Sequence, residues 1–249
     1  MIELTAHGDV AVLRLQHGKA NALDLELCRA LTKEFEAFRQ APARALVITG
    51  TGRMFSAGVD LLRLVEEGAP YVRAFLPAMG SAFETLFSVV KPVVAAVNGH
   101  AIAGGCILAA AADRRLMSRS GGRIGISELL VGVPFPVVPL EIMRFAAGRE
   151  LPSLAYTGVT CDADEAQRRG LVDTVVDGDQ VVDEALRVAQ ALAAVPATAF
   201  ALTKRQLREP VLERIHVGTA IDALAIDAWT SEETLAAIRS YVERTLKKA

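Results

Sequence analysis

The chain is poor in aromatic residues. Nine Phe, three Tyr and one Trp make up 5% of its 249 residues, so Ala and the aliphatics must supply the apolar interior. Cysteine is scarce too. Cys28, Cys106 and Cys161 are odd in number and widely spaced. With no CxxC pair and no Cys/His cluster, no metal site is expected, and the thiols read as small buried hydrophobes in a reducing compartment. Neither charge sign dominates. The 29 Asp and Glu nearly cancel the 27 Lys and Arg, for a net charge of -2, so the basic excess of a nucleic-acid binder is missing. Long hydrophobic runs are missing as well. The most apolar stretch, residues 92–112, is broken by Asn98, Gly99, His100 and the Gly104-Gly105 pair, whereas a membrane span needs about 20 apolar residues without such breaks. The first residues carry Glu3 and Asp9 and no basic stretch ahead of an apolar one. No signal peptide is therefore expected, and the expected location is cytoplasmic. GxxxxGK[ST], HExxH and GxSxG signatures do not occur.

What the chain has is apolar content, 52% of residues, which argues against disorder and for a sizeable core. Strands are predicted over residues 2–6 and 10–15, around a His7-Gly8-Asp9 turn. A helix follows, capped by Asn21 or Asp24, with Leu27, Cys28, Leu31, Phe35 and Phe38 at three- and four-residue steps. Residues 45–48 and 93–97 read as buried strands, and residues 61–67 and 71–89 as helices parted by Gly68 and Pro70. A buried helix opens at Gly104 or Gly105 and a strand covers 115–117. Asp162 caps a helix that Gly170 stops, and residues 171–176 form the last strand. Beyond residue 179 only helices are expected, broken at Pro196 and Pro210. This is an α/β domain with a helical C-terminal extension, a core of residues 1–195 followed by a helical region of residues 196–249.

Two segments share a design. The strand ending at Ile48 runs into Gly50-Thr51-Gly52-Arg53-Met54-Phe55-Ser56-Ala57-Gly58-Val59-Asp60, and the strand ending at Val97 runs into Asn98-Gly99-His100-Ala101-Ile102-Ala103-Gly104-Gly105-Cys106. Each is a small-residue turn feeding a helix. Small residues let a ligand approach the backbone, and the first N–H groups of a helix have no internal partner. Two such groups aimed at one spot make an oxyanion hole. Either segment alone fits equally well with glycines that only permit tight turns and close helix packing.

Together they resemble a known family. Phe55-Ser56-Ala57-Gly58-Val59-Asp60 is similar to the FxAGxD motif of the crotonase (enoyl-CoA hydratase/isomerase) superfamily, residues 98–106 to its second motif, and Gly125-Ile126-Ser127-Glu128-Leu129-Leu130-Val131-Gly132 to its third. Order and spacing agree along almost the whole chain. The resemblance implies a crotonase spiral of ββα turns, a C-terminal region that serves oligomerisation, and homotrimers or dimers of trimers. It implies acyl-CoA substrates, with no cofactor beyond the coenzyme A of the thioester. The oxyanion donors it implies are the backbone N–H groups of Ala57 and Gly104. Coenzyme A contacts fall on Val59, Asp60 and Leu61 and on Lys19 near the phosphates. Tyr241 and Arg244 would reach a neighbouring subunit's coenzyme.

Carboxylates separate the branches of this family. Hydratases use two glutamates. The position of the first is Ile107, on the face of the helix shared with Gly104, and the second matches Glu128. The following loop, with Pro134 and Phe135, carries no acid. Water addition to a 2-enoyl thioester is helped by two acid/base groups, whereas moving a double bond from the 3- to the 2-position needs one base that carries a proton from C2 to C4. Apolar walls from Ile107, Ile126, Leu129 and Leu130 would raise the carboxyl pKa toward a useful range. The leading expectation is a Δ3-Δ2-enoyl-CoA isomerase with Glu128 as base. A hydratase using Glu128 alone and a non-catalytic acyl-CoA binder are the alternatives. His7, His17 and His216 read as isolated, His100 as non-catalytic, Trp229 as packing, and Lys204-Arg205 as a solvated helix face.

Overall fold

The computed structural model describes residues 1–120, 122–178 and 180–245, with nothing said of the side chains of 219 and 220. Strand β1 (Ile2–His7) pairs antiparallel with β2 (Val10–Leu15) across the expected turn. Helix α1 (Leu25–Gln40) is capped by Asp24, whose side chain accepts from Leu27 N–H, and it buries the five predicted positions.

A repeat then begins. β3 (Ala45–Thr49), β4 (Met54–Ser56) and α2 (Leu61–Phe87) form its first turn. β5 (Val93–Val97), β6 (His100–Ile102) and α3 (Gly104–Ala110) form the second. β7 (Arg114–Ser118), β8 (Ile124–Gly125) and α4 (Glu128–Val131) form the third. The first strand of each turn joins one sheet, ordered β1-β2-β3-β5-β7 with a further strand at its edge, and the second joins another, ordered β4-β6-β8 with its own edge strand. Pairing of successive turns is parallel. The chain therefore winds as a ββα spiral, as expected.

α5 (Val137–Ala147) and α6 (Leu151–Thr157) follow, then the edge strand β9 (Thr160–Cys161). α7 (Ala163–Arg168) is capped by Asp162 and followed by Gly170 at φ +74°, as expected. β10 (Thr174–Val176) closes the first sheet and is shorter than predicted. The rest is α8 (Val181–Ala193), α9 (Ala197–Val217), α10 (Thr219–Thr230) and α11 (Glu232–Thr245).

Alternation along the strands sorts the core. Val12, Val47, Val94 and Leu116 face Ala185, Ala189 and Ala193 of α8, small residues at helical spacing that let the helix lie close to the sheet. Leu13, Ile48, Ala95 and Met117 face the larger core, which also takes in Val211, Ile215, Trp229, Ile238 and Val242 from the C-terminal helices. α10 and α11 pack on α2, and α9 on α5.

The predicted helix break at Gly68 is present, as a non-helical residue (φ 67°, ψ −156°) that kinks α2 there, whereas several other local expectations are corrected. Pro210 does not break α9. It lies on the exposed face of that helix, where the carbonyl it leaves without an amide partner can meet water. Lys204 is not solvated. It is 6% exposed and reaches the Asp113 carboxylate at 2.6 Å, which Arg208 meets at 2.8 Å. The stripe 204, 208, 211, 215 is thus the inward face of α9, opened by two charges. Arg205 is solvated and pairs with Glu209. The three cysteines are free and buried.

Candidate active site

Each spiral turn ends its second strand in a short connection to a helix N-terminus, and all three connections meet at one cavity. Ala57, Val59, Asp60 and Leu61 come from the β4–α2 turn, Ala103, Gly104 and Ile107 from β6–α3, and Ser127, Glu128 and Val131 from β8–α4. The cavity has a volume of about 410 Å³. Met79, Val133, Phe135, Pro139 and Trp229 extend its apolar wall, and Tyr241 also lines it.

Glycine brings the first two turns together. Gly58 has φ +81°, and a Cβ there would stand 2.6 Å from the Ile102 carbonyl and 3.0 Å from Gly104 N. A Cβ on Gly105 would stand 2.3 Å from the Ser56 carbonyl. Only backbones without side chains at these points approach so closely. Ala103, just before α3, holds φ 50°, ψ −121°, a conformation costing about 1–3 kcal/mol for a residue with a Cβ. Asn21 and Asn98 brace the turns, which the motif matches alone do not show. Asn21 Nδ2 donates to the carbonyls of Met54 and Phe55, and Asn98 Oδ1 accepts from Gly50 N–H at 2.8 Å. The sequence signal was present, since both are polar residues beside a motif strand.

The backbone donors differ from expectation. Ala57 N–H donates to the Ala20 carbonyl at 3.0 Å, so it is committed within the fold. Leu23 bridges the same segment through the Gly58 carbonyl and the Asp60 N–H. That pattern turns the Val59 N–H to the opposite edge, where Gly104 N lies beside Gly58. Among the described residues neither Val59 N–H nor Gly104 N–H has an acceptor. Val59 N–H and Gly104 N–H are therefore the candidate oxyanion donors, with Ala57 N–H held by the scaffold.

Glu128 opens α4 and is 7% exposed. Its Oε2 is buried with no hydrogen-bond partner, and among the described residues it has no ion pair. Burial pushes the carboxyl up to about 7, against backbone hydrogen bonding at Glu128 and Ser127. Ile107 lines the cavity as expected. Ile126 is buried outside the lining, and Leu129 and Leu130 are 42% and 55% exposed. A helix that points Glu128 and Val131 inward must turn its next two positions outward, so Val131, Val133 and Met79 supply the walls instead.

Tyr241 is placed differently from the expectation. α11 seats Ile238 and Val242 in the chain's own core, and Tyr241 therefore lines its own chain's cavity. Arg244 is exposed and bonds the Ser240 carbonyl. Lys19 is exposed next to Ala20, which reaches the lining. Pro134 sits behind the lining, its carbonyl taken by Trp229 Nε1 at 2.8 Å, so Trp229 both packs and lines the cavity. The histidines are not isolated: His17 meets Asp24 at 2.6 Å and His216 meets Glu84 at 2.9 Å. His100 Nδ1 accepts from Arg123 N–H. No histidine lines the cavity.

The profile of the enoyl-CoA hydratase/isomerase family matches residues 5–248. A Thermus thermophilus protein carrying a provisional enoyl-CoA hydratase name is 32% identical over 244 residues, covering 95% of this chain and 96% of that one. Carnitinyl-CoA dehydratase of Salmonella agona is 34% identical over 210 residues, 83% of this chain and 80% of that one. The structure of human mitochondrial Δ3-Δ2-enoyl-CoA isomerase superposes with a TM-score of 0.93 at 25% identity, covering 99% of this chain and 98% of that one. With one spiral fold, three motif turns around one cavity and a profile matched nearly end to end, the chain belongs to the enoyl-CoA hydratase/isomerase family.

Proposed function

We propose that the chain is an enoyl-CoA isomerase that moves a 3-enoyl-CoA double bond to the 2-position. The observation that carries this reading is the Glu128 carboxyl, whose Oε2 is buried without a hydrogen-bond partner in a largely apolar cavity where Ile107 occupies the second acid's place, while the other carboxylate of the lining, Asp60, caps α2 through Arg63 N–H. The thioester oxygen accepts from Val59 N–H and Gly104 N–H. Charge growing on that oxygen is stabilised most there, and one such donor is typically worth about 3–4 kcal/mol. Glu128 removes a proton from C2, and the electron pair spreads over the thioester and the C3–C4 bond as a dienolate. Protonated Glu128 then delivers the proton to C4, leaving the double bond between C2 and C3. The apolar walls keep water from the dienolate. A carboxyl titrating near neutrality is suited to both halves of this transfer. Lys19 and the backbone of residues 59–61 are the proposed coenzyme contacts.

The names of the Thermus and Salmonella relatives favour a second reading, a hydratase or dehydratase using Glu128 alone. Isomerisation of a 3-enoyl-CoA and hydration of crotonyl-CoA, measured side by side, separate the two. Isomerisation at least about a hundredfold faster is expected if a lone base suffices for one reaction only. Comparable or faster hydration would overturn the isomerase reading, and an Ile107→Glu variant should then hydrate no better. Tight coenzyme A binding with neither activity would favour a binder.

A further inference from the structure

The cavity's least polar wall comes from outside the three motif turns. Trp229 on α10 is 2% exposed and lines the cavity, and its Nε1 donates to the Pro134 carbonyl at 2.8 Å. Two turns earlier on the same helix, Asp222 Oδ1 accepts from Val137 N–H at 2.8 Å. α10 therefore holds residues 134–137 at both ends. The segment needs this help. Pro134 and Pro136 have no N–H, so the stretch cannot build its own hydrogen bonds, and a buried carbonyl left without a donor would cost about 1–3 kcal/mol. Phe135 and Pro136, fixed in this way, join Trp229 in the lining.

Apart from Tyr241 on α11, the polar side chains and unpartnered N–H groups of the cavity lie on the motif turns: Val59 N–H, Asp60, Gly104 N–H, Ser127 and Glu128. The part built from Met79, Val133, Phe135, Pro139 and Trp229 offers a ligand only hydrocarbon contact. A thioester drawn to the polar turns sends its alkyl tail there. We propose that Trp229 is a specificity-determining residue that sets how long an acyl tail the site accepts. The indole is packed and hydrogen-bonded, so it cannot swing aside as an exposed side chain could, and it gives the hydrocarbon part of the cavity a fixed wall. This rests on the acyl-CoA reading above and names the residue that limits tail length within it.

Binding of saturated acyl-CoAs, from butanoyl- to hexadecanoyl-CoA, tests this without any turnover. In the wild type, affinity should climb by about fourfold per buried methylene until the tail meets the indole, and then stop climbing. In Trp229→Ala the climb should continue to longer tails. Trp229→Leu, which keeps an apolar filler if the alanine variant does not fold, should shift the limit by a smaller step in the same direction. Folded variants with the wild-type length limit would overturn the role of Trp229 while leaving the acyl-CoA reading intact. Absence of acyl-CoA binding by the wild type at every length would overturn that reading and this inference with it.

Discussion

Glu128 carries opposed demands on stability and chemistry. Its carboxyl titrates near 7 in the folded chain because burial disfavours the charge, against about 4.3 in an unfolded one. The folded state therefore holds this proton between those values while the unfolded state releases it, and stability rises as pH falls through 7 toward 4.5. Burying the charge costs up to about 4 kcal/mol above neutrality, the size of such a shift. Glu128→Gln should be more stable than wild type at pH 8 and lose that advantage near pH 5, as measured by denaturant unfolding at both. In the proposed mechanism Glu128 acts first as a base, so kcat/KM for 3-enoyl-CoA isomerisation should rise with pH through about 7 and level off. Gly58 makes a second residue-scale demand. An added methyl would meet Ile102 and Gly104 backbone and strain a left-handed φ. Gly58→Ala should part the two donors and lower kcat by about 10²–10³, read from steady-state kinetics beside coenzyme A affinity.

At the scale of elements, α1, the strands of the first sheet and the capped α7 were legible because apolar periodicity and side-chain caps act locally, whereas the two- and three-residue strands of the second sheet are too short to show a period. α9 was also less legible. Its inward face begins with Lys204 and Arg208, which local pattern reads as solvated, and only the distant Asp113 makes their burial tolerable. Burial lowers both cations below their ordinary ranges, and Asp113 opposes that. Removing one partner of a buried ion cluster leaves charge uncompensated. Asp113→Ala should cost about 3–5 kcal/mol in unfolding free energy, whereas Arg205→Ala on the exposed face should cost less than about 1 kcal/mol. The same limit explains the oxyanion turn. Its glycines were visible in the motif, but which N–H is free depends on Ala20 and Leu23, more than thirty residues away in the chain.

Across the whole molecule, one repeated geometry builds the site. Successive spiral turns present equivalent strand-to-helix connections, two giving free N–H groups and the third giving Glu128, and the C-terminal helices fold back to close the apolar end. The motifs announced the first part. The closure was not readable, because Trp229 and Tyr241 sit on helices whose packing is settled only by the finished core. The account stands on Glu128 acting as a lone proton carrier. Its most direct test is Glu128→Gln, assayed for conversion of a 3-enoyl-CoA and titrated with the same ligand's saturated analogue. The account predicts turnover lowered by about 10²–10⁴ with acyl-CoA affinity retained. Turnover unchanged in the folded variant would contradict it.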